Sequence, residues 1–396
     1  MKSFFSLSAA GVAAAATAAI VASTGVAQAQ TPVRIGFITT LSTPAGYIGE
    51  DERDGFMLAV QEEGGKLGGV PVQMVIEDDS LKPANARQTA DRMVQDGIRL
   101  FTGINFSNVL VAVVPTVLEA GGTYVSVNAA PSMFAGKNCK PGYFSVAYQN
   151  DSYSNSAGLA ANEIGYKRIV IMAPNYQAGR DALAGFKATY KGEVLAEIYT
   201  KLDQSDFSVE LARVRELKPD AIFQFHPGGA GINLAKQYAN SGLAETIPML
   251  TPIYSMDRRM LAATGNAGNG YYLTAMWAAD LDNAANRHFV DAFVKAYGRV
   301  PTDYAATSYD TAKLIGSALK AVGGDIDGRK DDFRAALRKG DIDSVRGKFR
   351  FANNQHPVQD WYLLHVEPNA EGKLDYRTVK TIATDLVDPH AAECPM

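Results

Sequence analysis

Two cysteines, two tryptophans and five histidines are all that 396 residues carry of those types. So few thiols and imidazoles, scattered along the chain, exclude zinc ribbons, iron–sulfur ligation and a fold held up by a framework of disulfides. A basic surplus is missing too. Lys and Arg number 38 against 42 Asp and Glu, which argues against nucleic acid as a partner. No G-x-S-x-G elbow, H-E-x-x-H pair, P-loop or EF-hand string occurs. No second long apolar run follows the N-terminal one, so no membrane span is expected beyond it.

What the chain does have is material for a core. Its composition, 47% hydrophobic and 20% charged, belongs to folded proteins, and its length allows two or three domains. Residues 1–29 read as an export signal: Lys2, then an Ala-rich apolar run from Ala9 to Val26, then Ala27-Gln28-Ala29, an A-x-A cleavage pattern. No cysteine stands directly after that site, so a lipid anchor is not expected, and a bacterial periplasm fits best. In an oxidising compartment Cys139 and Cys394 are expected to form one disulfide, tying a mid-chain loop to the C-terminal tail.

Beyond the signal, short β-branched runs alternate with amphipathic stretches. Strands are predicted at 33–38, 70–77, 99–102 and 123–127, with helices at 50–63, 83–95 and 109–120 between them. The alternation restarts near residue 150. It gives helices at 154–164, 178–190, 207–216 and 232–240, and strands at 168–173, 193–199, 221–225 and 248–251. A strand at 271–276 follows, then helices at 286–297, 304–322 and 330–338, and late strands near 348–351, 361–366 and 378–382. Repeated β-α units imply parallel sheets covered on both faces. Two such blocks without a Pro-rich linker imply two intimate lobes, completed by the late elements.

Candidate chemistry is sparse. His226, His288, His356, His365 and His390 lack ligand spacing. Pro227-Gly228-Gly229-Ala230-Gly231 follows a strand and precedes a helix, but it fails the dinucleotide fingerprint and reads as a tight turn bringing a helix N-terminus to a ligand. The adjacent carboxylates Glu62-Glu63 and Asp78-Asp79 read as solvated ends of elements, because neighbours in sequence point apart.

Several strings, in order, resemble the periplasmic solute-binding proteins of ABC importers, type I, of the branched-chain amino-acid-binding family. They are Ile35-Gly36-Phe37 with Ser42-Thr43-Pro44, Gly68-Gly69-Val70-Pro71-Val72, Glu77-Asp78-Asp79 with Pro83 and Ala86, and Thr307-Ser308-Tyr309-Asp310-Thr311-Ala312 with Leu314 and Ala318. The resemblance covers about 33–388. It implies an α/β fold of two lobes joined by three crossing segments, each lobe a mainly parallel sheet with helices on both faces. Lobe one is placed at 31–148 plus 277–353, lobe two at 149–276 plus 354–388, with 389–396 as a tail. It further implies solute capture between the lobes and delivery to ABC importer membrane subunits, with no catalysis, no cofactor and no metal. A monomer is expected, free of nucleic acid and not inserted in a membrane.

Carried over position by position, the resemblance places a solute carboxylate at Ser107 and Asn108 and at the backbone of Asn128, Ala129 and Ala130. Ser107, at the start of a predicted helix, is equally an N-cap. The other lobe offers Tyr176, Phe225 and His226. Amino-acid binders of the family hold the solute ammonium with an acidic residue in the loop that here reads Thr251-Pro252-Ile253-Tyr254-Ser255. That loop has no carboxylate, and an unpaired ammonium in a closed cleft is costly. Aromatic candidates gather instead at strand-to-loop ends: Tyr47, Phe106, Tyr148, Tyr176, Phe225, Tyr254 and Trp277. Such a set suits a flat ring, with Tyr or His reaching a ring hydroxyl. The sequence resembles the aromatic-acid-binding branch, so a benzoate or phenylpropanoid-type acid is the expected solute. Branched-chain amino acids, amides, or a sensor role with a signalling partner are the alternatives.

Overall fold

Val33–Thr39 opens the fold as a buried parallel strand, and the computed structural model describes Met1, residues 3–6 and residues 31–396. The apolar run and cleavage pattern of the expected export signal lie outside the described residues. In chain order the first elements are β1 (Val33–Thr39), α1 (Gly46–Glu62), β2 (Lys66–Leu67), β3 (Val70–Asp78), α2 (Pro83–Gln95), β4 (Leu100–Thr102), α3 (Ser107–Glu119), β5 (Thr123–Ser126) and β6 (Tyr143–Ser145). Next come α4 (Asn150–Ile164), β7 (Arg168–Pro174), α5 (Gln177–Thr189), β8 (Glu193–Thr200), α6 (Ser208–Leu217), β9 (Ala221–Gln224), α7 (Gly229–Asn240), β10 (Met249–Pro252), α8 (Arg258–Thr264) and β11 (Tyr272–Ala275). The chain closes with α9 (Ala284–Tyr297), α10 (Asp303–Val322), α11 (Lys330–Lys339), β12 (Arg350–Phe351), β13 (Pro357–Pro368) and β14 (Leu374–Leu386).

The strands make two sheets. The first runs β2-β3-β1-β4-β5-β6, and the second runs β12-β13-β11-β10-β9-β7-β8 with β14 paired to β13. Within the first, only the β2–β3 pair is antiparallel. In the second, β8 through β11 are parallel and the late strands antiparallel. The chain leaves the first sheet after β6, leaves the second after β11 for helices α9 to α11 that pack into the first lobe's core, and rejoins the second sheet at β12 and β13, giving a type I two-lobe α/β architecture with three crossings. Arg346 fastens two of these passages. Its guanidinium pairs with buried Asp310 at 3.0 Å and donates to the Ala147 carbonyl at 3.2 Å and to Gln359 Oε1 at 2.6 Å.

Core packing explains why the late helices return to the first lobe. Phe37 and Phe56 meet edge to face at 5.6 Å, and the same core takes in Phe289, Tyr309 and Ile315. Each such side chain stabilises by roughly 1.5–3 kcal/mol when fully buried. The approach of α1 to α10 depends on Gly55, where a Cβ would lie 2.2 Å from the Ala305 carbonyl oxygen.

Several expectations need correction. α1, α3, α4, α7 and α9 begin two to four residues before their predicted starts, and β2, β6 and α8 were not foreseen. The pair Asp78-Asp79 is not a solvated end. Asp79 is fully buried and accepts from Thr40 Oγ1 at 2.6 Å and Leu81 N at 2.7 Å, while Asp78 accepts from Leu41 N at 2.8 Å. Together they staple the loop after β1 to the loop after β3. Glu62, by contrast, is an exposed helix end.

Candidate functional site

Loops at the C-terminal ends of strands from both sheets converge on one small cavity, where open α/β sheets bind ligands. The first lobe contributes Asn105, Phe106 and Ser107 from the β4–α3 turn, and Asn128 and Ala129 from the loop after β5. Ile48 of α1 and Tyr304 of α10 complete that wall, and Tyr148 and Asn150 come from the first crossing. The second lobe contributes Tyr153, Tyr176 and Ala178, Phe225 and Pro227, and Tyr254. The space they leave is about 20 Å³, the scale of a single water site. A second cavity of about 270 Å³ shares Phe106 and Pro227 with it and is walled by Pro44, Ala45 and Leu81 from one lobe and Leu202 and Ala230 from the other.

The aromatic rings form a contiguous cage. Tyr148 and Tyr153 meet edge to face at 4.9 Å, Tyr148 and Tyr254 lie 4.9 Å apart, and Tyr254 and Tyr304 lie 5.0 Å apart. Tyr176 stacks on Phe225 at 6.4 Å.

Opposite the cage is a polar corner. Ser107 is the first residue of α3, not its cap: Phe106 holds that position, and the Ser107 hydroxyl accepts from Asn150 Nδ2 at 3.0 Å. The first intrahelical bond of α3 is made at Val109, leaving the N–H groups of Ser107 and Asn108 ahead of it. Asn150 also donates to Asp181 at 2.9 Å and accepts from Ala130 N at 3.2 Å. Asn128 takes the Tyr148 hydroxyl on Oδ1 and donates to Glu52 at 2.8 Å. Burial holds the Glu52 carboxyl well above its ordinary pKa.

The wall itself carries no charged side chain. Its electrostatics come from helix ends. α1, α3, α4, α5, α7 and α10 all start at or beside the cavity, and helix N-termini favour an anion. Gly228, at φ +68, makes the sharp turn into α7, and a Cβ there would sit 3.2 Å from Ala45 Cβ across the cleft.

The sequence-based candidates divide. Ser107, Asn128, Ala129, Tyr148, Tyr176, Phe225 and Tyr254 lie in the wall, and so does Phe106. Five do not. Asn108 is not among the wall residues, and Ala130 reaches the wall only through its N–H on Asn150. Tyr47 is drawn away by a hydrogen bond to Asp257 at 2.6 Å. His226 is fully buried, with one ring nitrogen 3.0 Å from Thr200 Oγ1 and the other 2.9 Å from Gln224 Oε1, and burial lowers its pKa to about 3. Trp277 packs in the first lobe's core against Phe289 and donates Nε1–H to Asn286 at 2.7 Å. Unforeseen wall residues are Ile48, Asn105, Asn150, Tyr153, Ala178, Pro227 and Tyr304. Cys139 and Cys394 form the expected disulfide, with Cα atoms 5.7 Å apart.

A family model described as periplasmic binding protein matches residues 32–373. Among solved structures, the chain is similar to a solute-binding protein of an ABC transporter from R. palustris in complex with benzoate, with TM-score 0.86 and 30% identity over 91% of this chain and 99% of that one. It is also similar to one from Rhodopseudomonas palustris BisB5 in complex with 3,4-dihydroxybenzoic acid, with TM-score 0.84 and 28% identity over 90% and 99% of the two chains. Among curated proteins it is similar to the Leu/Ile/Val-binding protein homolog 6 of Brucella melitensis, 27% identical over 362 residues, 88% of this chain and 91% of that protein.

Proposed function

The chain belongs to the periplasmic binding protein family, and from that premise we propose that it captures an aromatic acid between its lobes and hands it to the membrane subunits of an ABC importer. The observation that carries this reading is the composition of the wall. Seven aromatic residues (Phe106, Tyr148, Tyr153, Tyr176, Phe225, Tyr254 and Tyr304) face a corner of hydroxyl, amide and helix N-terminal N–H groups, with no charged side chain among them. A ring gains from the cage by stacking. A carboxylate gains from the N–H groups and from the Ser107 hydroxyl, whose own proton is not spent on an acceptor among the described residues.

The protein is read as a periplasmic monomer that binds without turning its solute over. The lobes are taken to meet at 148/149, 276/277 and 353/354. A space of about 20 Å³ is far too small for a ring, so the lobes part to admit the solute, through the mouth walled by Pro44 and Ala45 on one side and Leu202 and Ala230 on the other.

Branched-chain amino acids are the second reading, supported by the names of the curated relatives. They fit less well, because their ammonium would meet no carboxylate in the wall. Calorimetry decides between the two. Benzoate, hydroxybenzoates or coumarate-like acids are expected to bind, and leucine, isoleucine and valine are not. Tight leucine binding without response to any aromatic acid would overturn the proposal.

A further inference from the structure

Three cavity tyrosines spend their hydroxyls on the protein. Tyr148 donates to Asn128 Oδ1, Tyr304 to the Tyr254 carbonyl at 3.3 Å, and Tyr254 to Met276 Sδ at 3.4 Å. Tyr153 is different. It is 1% exposed, and its hydroxyl has no partner among the described residues. Its ring is fixed edge to face against Tyr148 and lies 5.4 Å from Phe225 at an interplanar angle of 32°. Its backbone is fixed as well, by bonds from Thr274 and Ser156 to its carbonyl. In this closed form the hydroxyl meets no polar group among the described residues and borders only the small cavity. A phenylalanine would fill the same space without leaving a polar group unpaired, which is costly in a dry site.

One other cavity side chain has the same property. The amide Nδ2 of Asn105 is buried and unpartnered, while its Oδ1 lies 3.0 Å from Thr40 Oγ1, whose proton goes to Asp79. Asn105 stands two residues before Ser107, on the turn that opens α3. The two orphan groups thus belong to chemically different halves of the site. Asn105 sits with Ser107 and the free N–H groups, where an anion is favoured. Tyr153 sits among Tyr148, Phe225 and Tyr254, where only a neutral polar group is tolerated.

We propose that the Tyr153 hydroxyl is the specificity-determining group of the site and pairs with a hydroxyl on the solute's ring, while Asn105 Nδ2 joins Ser107 on the carboxylate. The solute is then a ring-hydroxylated aromatic acid and not the unsubstituted one. This rests on the aromatic-acid reading above and sharpens it. A site built to hydrogen-bond a substrate hydroxyl rejects the analogue lacking it, because its own buried group is left unpaired.

The test is calorimetry of the mature wild-type protein and of Tyr153→Phe with benzoate and with 2-, 3- and 4-hydroxybenzoate. The wild type is expected to bind one hydroxy isomer about tenfold or more tighter than benzoate. Tyr153→Phe is expected to erase that preference, weakening the favoured hydroxy isomer about tenfold or more and benzoate much less, since the ring is retained. Equal weakening of benzoate and hydroxybenzoate by Tyr153→Phe would overturn the proposal, as would wild-type affinity for benzoate equal to that for every isomer. Either result leaves the aromatic-acid reading standing. Failure of every aromatic acid to bind the wild type would remove both.

Discussion

The hydroxyl of Tyr47 on α1 donates to Oδ2 of Asp257, the residue that caps α8, at 2.6 Å. The bond spans the cleft, because α1 packs with α10 in the first lobe and α8 lies beside α7 in the second. Arg259, two residues on, strengthens the same bridge. Its Nη1 lies 2.9 Å from Glu50 and 3.2 Å from Asp51, and its guanidinium sits 5.0 Å above the Tyr47 ring. Tyr47, Glu50 and Asp51 thus tie α1 to the second lobe, which accounts for the absence of Tyr47 from the cavity.

Arg259→Ala should weaken solute binding without changing which solutes bind. Asp51 keeps Arg299 at 2.5 Å, so the loss is confined to the interlobe contact. A partly exposed ion pair with a cation–π contact contributes on the order of 1 kcal/mol, so the dissociation constant should rise about three- to tenfold. Small-angle scattering should show a larger radius of gyration for the variant at low solute, converging with the wild type at saturation. Unchanged affinity and scattering would show that the bridge does not hold the closed form.

The Cys139–Cys394 disulfide closes a sequence separation of 255 residues and ties the tail to the loop after β5. The tail is also held by Asn353 Nδ2 on the Cys394 carbonyl at 3.3 Å, and by Asn354 Nδ2 on Asp388 at 2.5 Å. A Cys139→Ser, Cys394→Ser double variant should be less stable by up to about 5 kcal/mol in the chain-entropy picture. Denaturant titration checks this; a midpoint equal to that of the wild type would mean that the tail contacts alone suffice.

Two kinds of feature were legible in the sequence to different degrees. Strands such as Val33–Thr39 and Arg168–Pro174 announce themselves as β-branched runs, because both faces of a parallel sheet are buried. The first turns of α1, α3, α4 and α7 do not. Gly46 to Gly49, Ser107-Asn108, Asn150 to Tyr153 and Gly229 to Gly231 lie toward the cleft and the opposite lobe, so the amphipathic period of the rest of the helix fails there. Those turns carry Ile48, Ser107, Asn150 and Tyr153, which is why much of the wall was invisible to periodicity. Trp277 misled for the complementary reason: it follows a strand end, but Asn286 and Phe289 of α9 claim both its polar edge and its ring. Asn105 could have been found, since a buried Asn two residues before a helix start is an uneconomical place for an amide unless something binds it.

Tail docking should depend on pH. His390 Nε2 lies 2.6 Å from Asp151 Oδ2, with Glu393 at 3.4 Å from its other ring nitrogen and Asp388 nearby. The hydrogen bond to Asp151, ahead of the opposing effect of burial, raises the His390 pKa to about 9. Asp151 is itself harder to ionise than usual, because its burial outweighs the attraction of His390. A histidine raised in the folded state adds stability that is full below its unfolded value, about 6.5, and is lost as pH climbs through the folded value. The tail contribution should therefore decline between about pH 6.5 and pH 9. His390→Gln should flatten that decline in a melting-temperature profile, and an unaltered slope would exclude His390 as its source.

The last expectation concerns the anion. The hydroxyl of Ser107 accepts from Asn150 and retains its own proton for a solute, at the head of a helix whose first N–H groups are unspent. In Ser107→Ala, Asn150 Nδ2 keeps Asp181 at 2.9 Å, so the corner should not collapse. Loss of a hydrogen bond to a charged group costs about 1.5–3 kcal/mol, so carboxylate affinity should fall roughly ten- to 150-fold. The corresponding amide, benzamide, carries no charge. It should bind more weakly to the wild type, and its affinity should change far less on the same substitution. Equal losses for acid and amide would mean that Ser107 acts by packing, and would move the carboxylate to the Asn128–Ala129 side of the cavity.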